Sequence, residues 1–194
     1  MQASRLDLFT LKGSSWIKGT ECGCMKKNLR WTFSGLQALA IKLQEENILM
    51  FPVENFRRFD EASKLVTLST ALALHDADFP YAKDKKQDIG ILGTGQEGAL
   101  ISNLAYFRDY IDSGRKMGRG NLFIYTLASS PLAEAAIHFG FQGPLSYIGN
   151  AGNPGGNFLA QEAVIARNKT VKGLLAVTFN SQEAACSFKS REME

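Results

Sequence analysis

The segment "GPLSYIGNAGNPGGNF", residues 143–158, decides how the rest of the chain is organised. A short apolar run over residues 145–148 enters a turn rich in Gly and Asn, and a helix-like segment leaves it. Strand–turn–helix junctions hold nucleophiles and phosphate cradles, because the first N–H groups of the helix lack intrahelical partners and face whatever binds there. Yet residues 149–156 contain no Ser, Cys, Thr, Lys or His.

Outward from this junction, strand-like and helix-like segments alternate. Upstream, "LDLFTLKGSSWIKG" (6–19) begins as a strand, and "WTFSGLQALAIKLQEEN" (31–47) reads as part of a helix. The best helix is "NFRRFDEASKLVTLSTALALHDADF" (55–79), where Phe59, Ala62, Leu65, Val66, Ser69 and Ala73 follow the three/four spacing. "DIGILGTG" (88–95) is a short buried strand, and "EGALISNLAYFRDYIDSG" (97–114) a helix stopped by Gly114. "NLFIYTL" (121–127) is strand-like or extended, and "SPLAEAAIHFG" (130–140) a short helix with Pro131 in its first turn. Downstream, "GGNFLAQEAVIARNK" (155–169) is a helix, and "GLLAVTFNSQEAACSFKS" (173–190) a β-hairpin whose apolar first strand is buried. The alternation predicts an α/β fold with a mixed, mostly parallel sheet, helices on its faces and a C-terminal β-hairpin.

The 194 residues suit a single domain, with a formal charge of +3 and no basic run long enough for a nucleic-acid stripe. No apolar run approaches the roughly 18–20 residues that span a membrane. Arg5 and Asp7 stand where a signal peptide needs an apolar core, which gives a cytoplasmic expectation. Cys22 and Cys24 lack zinc-knuckle spacing, and Cys186, His75 and His138 are unpartnered in sequence. Free thiols, no metal and no cofactor are expected.

"GTGQEG" (93–98) is a literal G-x-G-x-x-G opening a helix. A dinucleotide site needs an acidic residue closing the next strand about 20 residues on. Asp109 and Asp112 fall inside the following helix instead. A tight packing turn is the expectation for these glycines.

Read with its flanks, "SSPLAEAAIHFGFQGPLSYIGNAGNPGGNFLAQEAVIA" (129–166) resembles the amino-terminal half of the β-ketoacyl synthases, the condensing enzymes of the thiolase-like fold. That family carries a helix, an "fGl-GP" element, a short strand and an "xACSSS" turn, whose Cys carries the acyl group at a helix N-terminus. The resemblance continues upstream in register. "RRFDEASKLVTLSTALALHDADF" resembles the helix opening with Arg-Phe/Met-Asp, "IGILGTGQEG" the "vGvivGtgfGg" strand and loop, and "NLAYFRDYIDSG" the helix after it. "LLAVTFN" is similar to the strand after the nucleophile helix, so the likeness covers roughly residues 55 to 180.

The departures bear on function. At family spacing the Ala-Cys pair falls on Ala151 and Gly152, so Asn150, Ala151, Gly152 and Asn153 form a degenerate nucleophile elbow. Glycine forms no thioester, and amides are poor nucleophiles. The family's carboxy-terminal half, with two catalytic His and a Lys, has no counterpart here.

The resemblance therefore implies a thiolase-like half-fold and a catalytically inactive, chain-length-factor-like subunit. It would pair with a full-length ketosynthase, or form a homodimer, in fatty-acid or polyketide-type biosynthesis. It places Leu122, Phe123 and Tyr125 near a partner's acyl pocket, and Leu174, Val177 and Phe179 on a strand paired across a dimer axis. Phe158, Leu159, Ala163, Val164 and Ile165 span more than one stripe of their helix, which suggests cover on more than one side. The alternative is a self-associating protein that holds an acyl chain or an acyl carrier protein without a synthase.

Overall fold

Trp16, Ile17 and their neighbours begin a seven-stranded sheet in the computed structural model, which describes residues 9–149 and 154–191. The strands are β1 (Thr10–Lys18), β2 (Glu21–Cys24), β3 (Leu29–Thr32), β4 (Ile89–Gly95), β5 (Leu145–Gly149), β6 (Gly173–Phe179) and β7 (Glu183–Ser190). The helices are α1 (Leu36–Glu45), α2 (Glu61–Asp76), α3 (Leu100–Asp112), the single turn α4 (Gly120–Phe123), α5 (Ser130–Phe139) and α6 (Pro154–Arg167).

The strand order is β3-β2-β1-β7-β6-β4-β5. Two of the six pairings, β4 with β5 and β4 with β6, are parallel and the other four antiparallel. The expected mixed sheet and its terminal β6–β7 hairpin are present. The parallel character is one of direction: five strands point the same way, while most neighbours are antiparallel because β2 and β7 run in reverse between them.

One face of the sheet packs on α2 and α5. Twelve of the sixteen α2 residues are buried, so this helix is central rather than amphipathic. Asp60 caps it, its carboxylate accepting the Ser63 N–H at 2.8 Å. Ile17, Cys22, Leu175, Val177, Cys186 and Phe188 fill the core beneath it. The opposite face carries a second, smaller cluster of Phe9, Leu92, Ile165, Ala166, Val171 and Leu174 under α6.

Two segments depart from the sequence expectation. "NLFIYTL" is not a strand: it forms α4 followed by a tight 3₁₀ turn, Ile124–Thr126. Its β-prone residues are held in a helical turn by tertiary contacts, Phe123 packing against Tyr106 and Tyr125 against Phe59. Residues 21–32 form the β2–β3 hairpin, and only residues 36–45 of the expected first helix are helical.

Candidate functional site

In an open sheet, ligands bind outside the carboxyl ends of the strands. Here β1, β4, β5 and β6 all deliver their carboxyl ends to one side. A depression of about 810 Å³ opens there, between the exposed side of the sheet and the start of α6. Its wall is mostly apolar, from Trp16, Phe158, Leu159, Phe179, Ala184 and Ala185. The register aligns Trp16, Ala185, Thr178 and Thr94 in one row across four strands, which makes its floor. Thr94, Gln96, Thr178 and Asn180 supply the polar groups, and an exposed Lys18–Glu183 pair at 3.3 Å marks the rim.

The loops around this mouth are fastened by local hydrogen bonds. The Asn180 carboxamide oxygen accepts the N–H groups of Gln182 (2.7 Å) and Glu183 (2.9 Å), closing the β6–β7 turn on itself. Glu97 ties that turn to the β4–α3 loop by accepting the Ser181 N–H at 3.1 Å. Tyr147 donates its hydroxyl to the Gly95 carbonyl at 2.8 Å. The glycines of "GTGQEG" serve packing: a Cβ on Gly95 would land on the Phe179 carbonyl, and one on Gly93 would lie 2.6 Å from the Leu132 side chain. The close packing is as expected, but Gly93 and Gly95 belong to β4 itself and the chain turns only after them, over residues 96–98.

A second cavity of about 260 Å³ lies where the first turns of α2, α3 and α5 converge. Asp60, Glu97, Ser102, Tyr125 and Ser181 line it. Asp60 accepts the Ser102 hydroxyl at 2.6 Å, and Tyr125 donates to Glu134 at 3.1 Å. Burial raises the Glu134 pKa against the opposing Tyr125 hydrogen bond. Among the described residues, no cluster of three His, Cys, Asp or Glu is arranged to hold a metal.

The residues singled out from sequence separate. Tyr125 is buried in the smaller cavity, Leu122 is half-buried on α4, and Phe123 is 59% exposed. Leu174 and Val177 are buried on opposite faces of β6, in the two different cores. Of that strand's three, only Phe179 reaches the large depression. The pairing of β6 across a dimer axis is corrected by the topology, because β4 and β7 already occupy both of its edges. The open edge on that side belongs to β5. Asn150, Ala151, Gly152 and Asn153 lie outside the described residues. Their flanks, Gly149 and Phe158, stand at the mouth end of the sheet, Gly149 beside Gly95.

Cys22, Cys24 and Cys186 are free and buried. Burial pushes the first two thiols up to about 11 and raises the third further. They are structural thiols, and none of them lines the depression. Sequence inspection missed Trp16, Thr94, Gln96 and Asn180, whose only signal is their place at strand ends.

This arrangement is the thiolase-like fold of the ketosynthases. The chain of the "Ketosynthase (ApeO) in Complex with its Chain Length Factor (ApeC)" structure from Xenorhabdus doucetiae superposes with a TM-score of 0.61 at 12% identity, covering 95% of this chain and 79% of that one. The "ishigamide ketosynthase/chain length factor" gives 0.63 at 11% identity, and a β-ketoacyl synthase from Burkholderia phymatum STM815 gives 0.62 at 12%. This chain spans 58% and 59% of the length of those two. No protein-family profile and no curated protein matches the sequence.

Proposed function

We propose that this chain is a non-catalytic, chain-length-factor-like subunit that associates with an active ketosynthase in fatty-acid or polyketide-type biosynthesis. The observation that carries this is the lining of the mouth: apolar, amide and hydroxyl groups with one peripheral ion pair, and no thiol or imidazole among the described residues. Glycine at position 152 in the adjoining junction is consistent with it.

The sheet edges support association. Edge strand β3 is guarded by Arg30, which is paired with Glu21 at 2.8 Å. Edge strand β5, Leu145–Gly149, has no charge and no proline, so its outer N–H and C=O groups are a ready template for another strand. A ketosynthase is the partner that the fold neighbours favour, and Phe123 is exposed enough to approach its acyl pocket.

Co-expression with a candidate full-length ketosynthase should yield a heterodimer stable through size exclusion, and product length should change when Phe123 is replaced by Ala. A homodimer that ignores every synthase sinks the proposal. The roomy apolar depression favours a second reading, an acyl-chain holder that needs no synthase. Saturable binding of a fluorescent fatty acid by the isolated chain, lost in Ala185→Trp, would select it.

A further inference from the structure

Helix α3 is amphipathic in the inverted sense. Its polar side turns to the body of the protein: Ser102 donates to Asp60, and Asp109 accepts from Arg119 at 2.7 Å. Tyr106, on the same flank, packs edge-on against Phe123 with ring centroids 5.6 Å apart. None of the thirteen α3 residues is buried. Leu100, Leu104, Phe107 and Ile111 are instead 53, 44, 58 and 42% exposed. Their spacing of four, three and four residues is that of a heptad seam, and Ser102 and Asp109 fall on the position opposite it. A helix that hydrogen-bonds inward and leaves a continuous apolar seam outward has its hydrophobic burial still to be met by another chain.

We infer that α3 is a homotypic pairing helix, whose seam is covered by the seam of a second copy in antiparallel orientation about a two-fold axis. The seam is self-complementary in that orientation. Centring the axis between Leu104 and Phe107 sets Leu104 against Phe107 of the other copy and Leu100 against Ile111, so that every layer joins large apolar groups. Electrostatics do not oppose it: the single charge flanking the seam, Arg108, lies on the flank of Ile101. In this register Ile101 of the other copy is its nearest flanking residue, nearer than its own counterpart. An acidic partner helix would need more than one cation to recognise, and a lipid surface favours a polar face rich in cations. The seam is short, and falls below the roughly 800 Å² per partner of a standard interface, so the pair dissociates on dilution. This contact is separate from the β5 edge and does not rest on the ketosynthase proposal.

The test is sedimentation over a dilution series combined with site-directed crosslinking. The wild-type chain should show a concentration-dependent dimer that Leu104→Glu abolishes, with circular dichroism and thermal unfolding unchanged because the side chain is outside the core. Mixing chains carrying Leu104→Cys with chains carrying Phe107→Cys should give a disulfide-linked dimer on mild oxidation. Neither variant should link to itself, and the native thiols are buried and do not compete. A wild-type chain that stays monomeric, or self-linking of Leu104→Cys alone, overturns the antiparallel pair. So does the loss, in Leu104→Glu, of binding to anionic phospholipid vesicles or to a ketosynthase, either of which assigns the seam to that partner.

Discussion

Asp76 shows how one side chain joins three parts of the chain. It is fully buried at the end of α2. Its carboxylate accepts the N–H groups of Ser14 and Lys27 at 2.8 Å and of Lys26 at 3.2 Å. Burial works against the charged form, but these donors and the Cys24 thiol outweigh it and hold the pKa below the usual carboxylate value. The stabilisation is therefore complete above the unfolded value of 3.8 and is lost as pH falls through the lower folded one. Asp76→Asn keeps one acceptor and turns an NH₂ toward backbone donors. It should cost about 1–3 kcal/mol in urea unfolding at neutral pH. Close packing of the same region is enforced at Gly13, where a Cβ would sit 2.5 Å from the Ala77 nitrogen.

At the scale of elements, α5 and the loop over it meet through His138. Its ring lies between Phe51 (4.6 Å between centroids) and Phe139 (4.7 Å), and its Nε2 is buried without a protein partner among the described residues. Burial pushes its pKa down to about 4, with Glu54 opposing. In the unfolded chain the imidazole protonates near 6.5, while in the folded chain it stays neutral until about 4. Between these values acid protonates the unfolded state preferentially. Stability should thus fall as pH drops from 6.5 toward 4, by at most about 1.4 kcal/mol per pH unit. Denaturant midpoints over that range would show it, and His138→Gln should flatten the slope; an unchanged slope would mean that other groups set it.

Most elements were legible in the sequence where a period and its stop signals agreed, as in α2 with Asp60 before it or α5 ending at Gly140 in the left-handed conformation. The β2–β3 hairpin escaped because four-residue strands show almost no alternation, and "ECGC" drew attention to thiols instead. "NLFIYTL" failed for the opposite reason: its residues favour strands, but contacts of Phe123 with Tyr106 and of Tyr125 with Phe59, distant in sequence, hold it in a helical turn.

For the molecule as a whole, the described residues form a mouth at the carboxyl ends of the strands whose lining holds no thiol or imidazole. His75 sits in the last turn of α2 and His138 in that of α5, and neither lines the depression. Gly152→Cys should therefore give a chain that can be alkylated yet condenses no acyl thioesters on its own. Condensing activity in that variant, assayed without a synthase, would refute the non-catalytic proposal. No helix is long and apolar enough to cross a membrane among the described residues.

The sequence by itself determined the order of most elements and the lack of Ser, Cys, Thr, Lys or His over residues 149–156, because these are local and depend on residue type and period. Tertiary structure alone decided which strand edge is open, which of Leu174, Val177 and Phe179 meets the mouth, and that α3 turns its polar side inward. Those are consequences of neighbours distant in sequence: β7 folds back to cover one edge of β6, β4 covers the other, and Asp60 and Arg119 fix the rotation of α3.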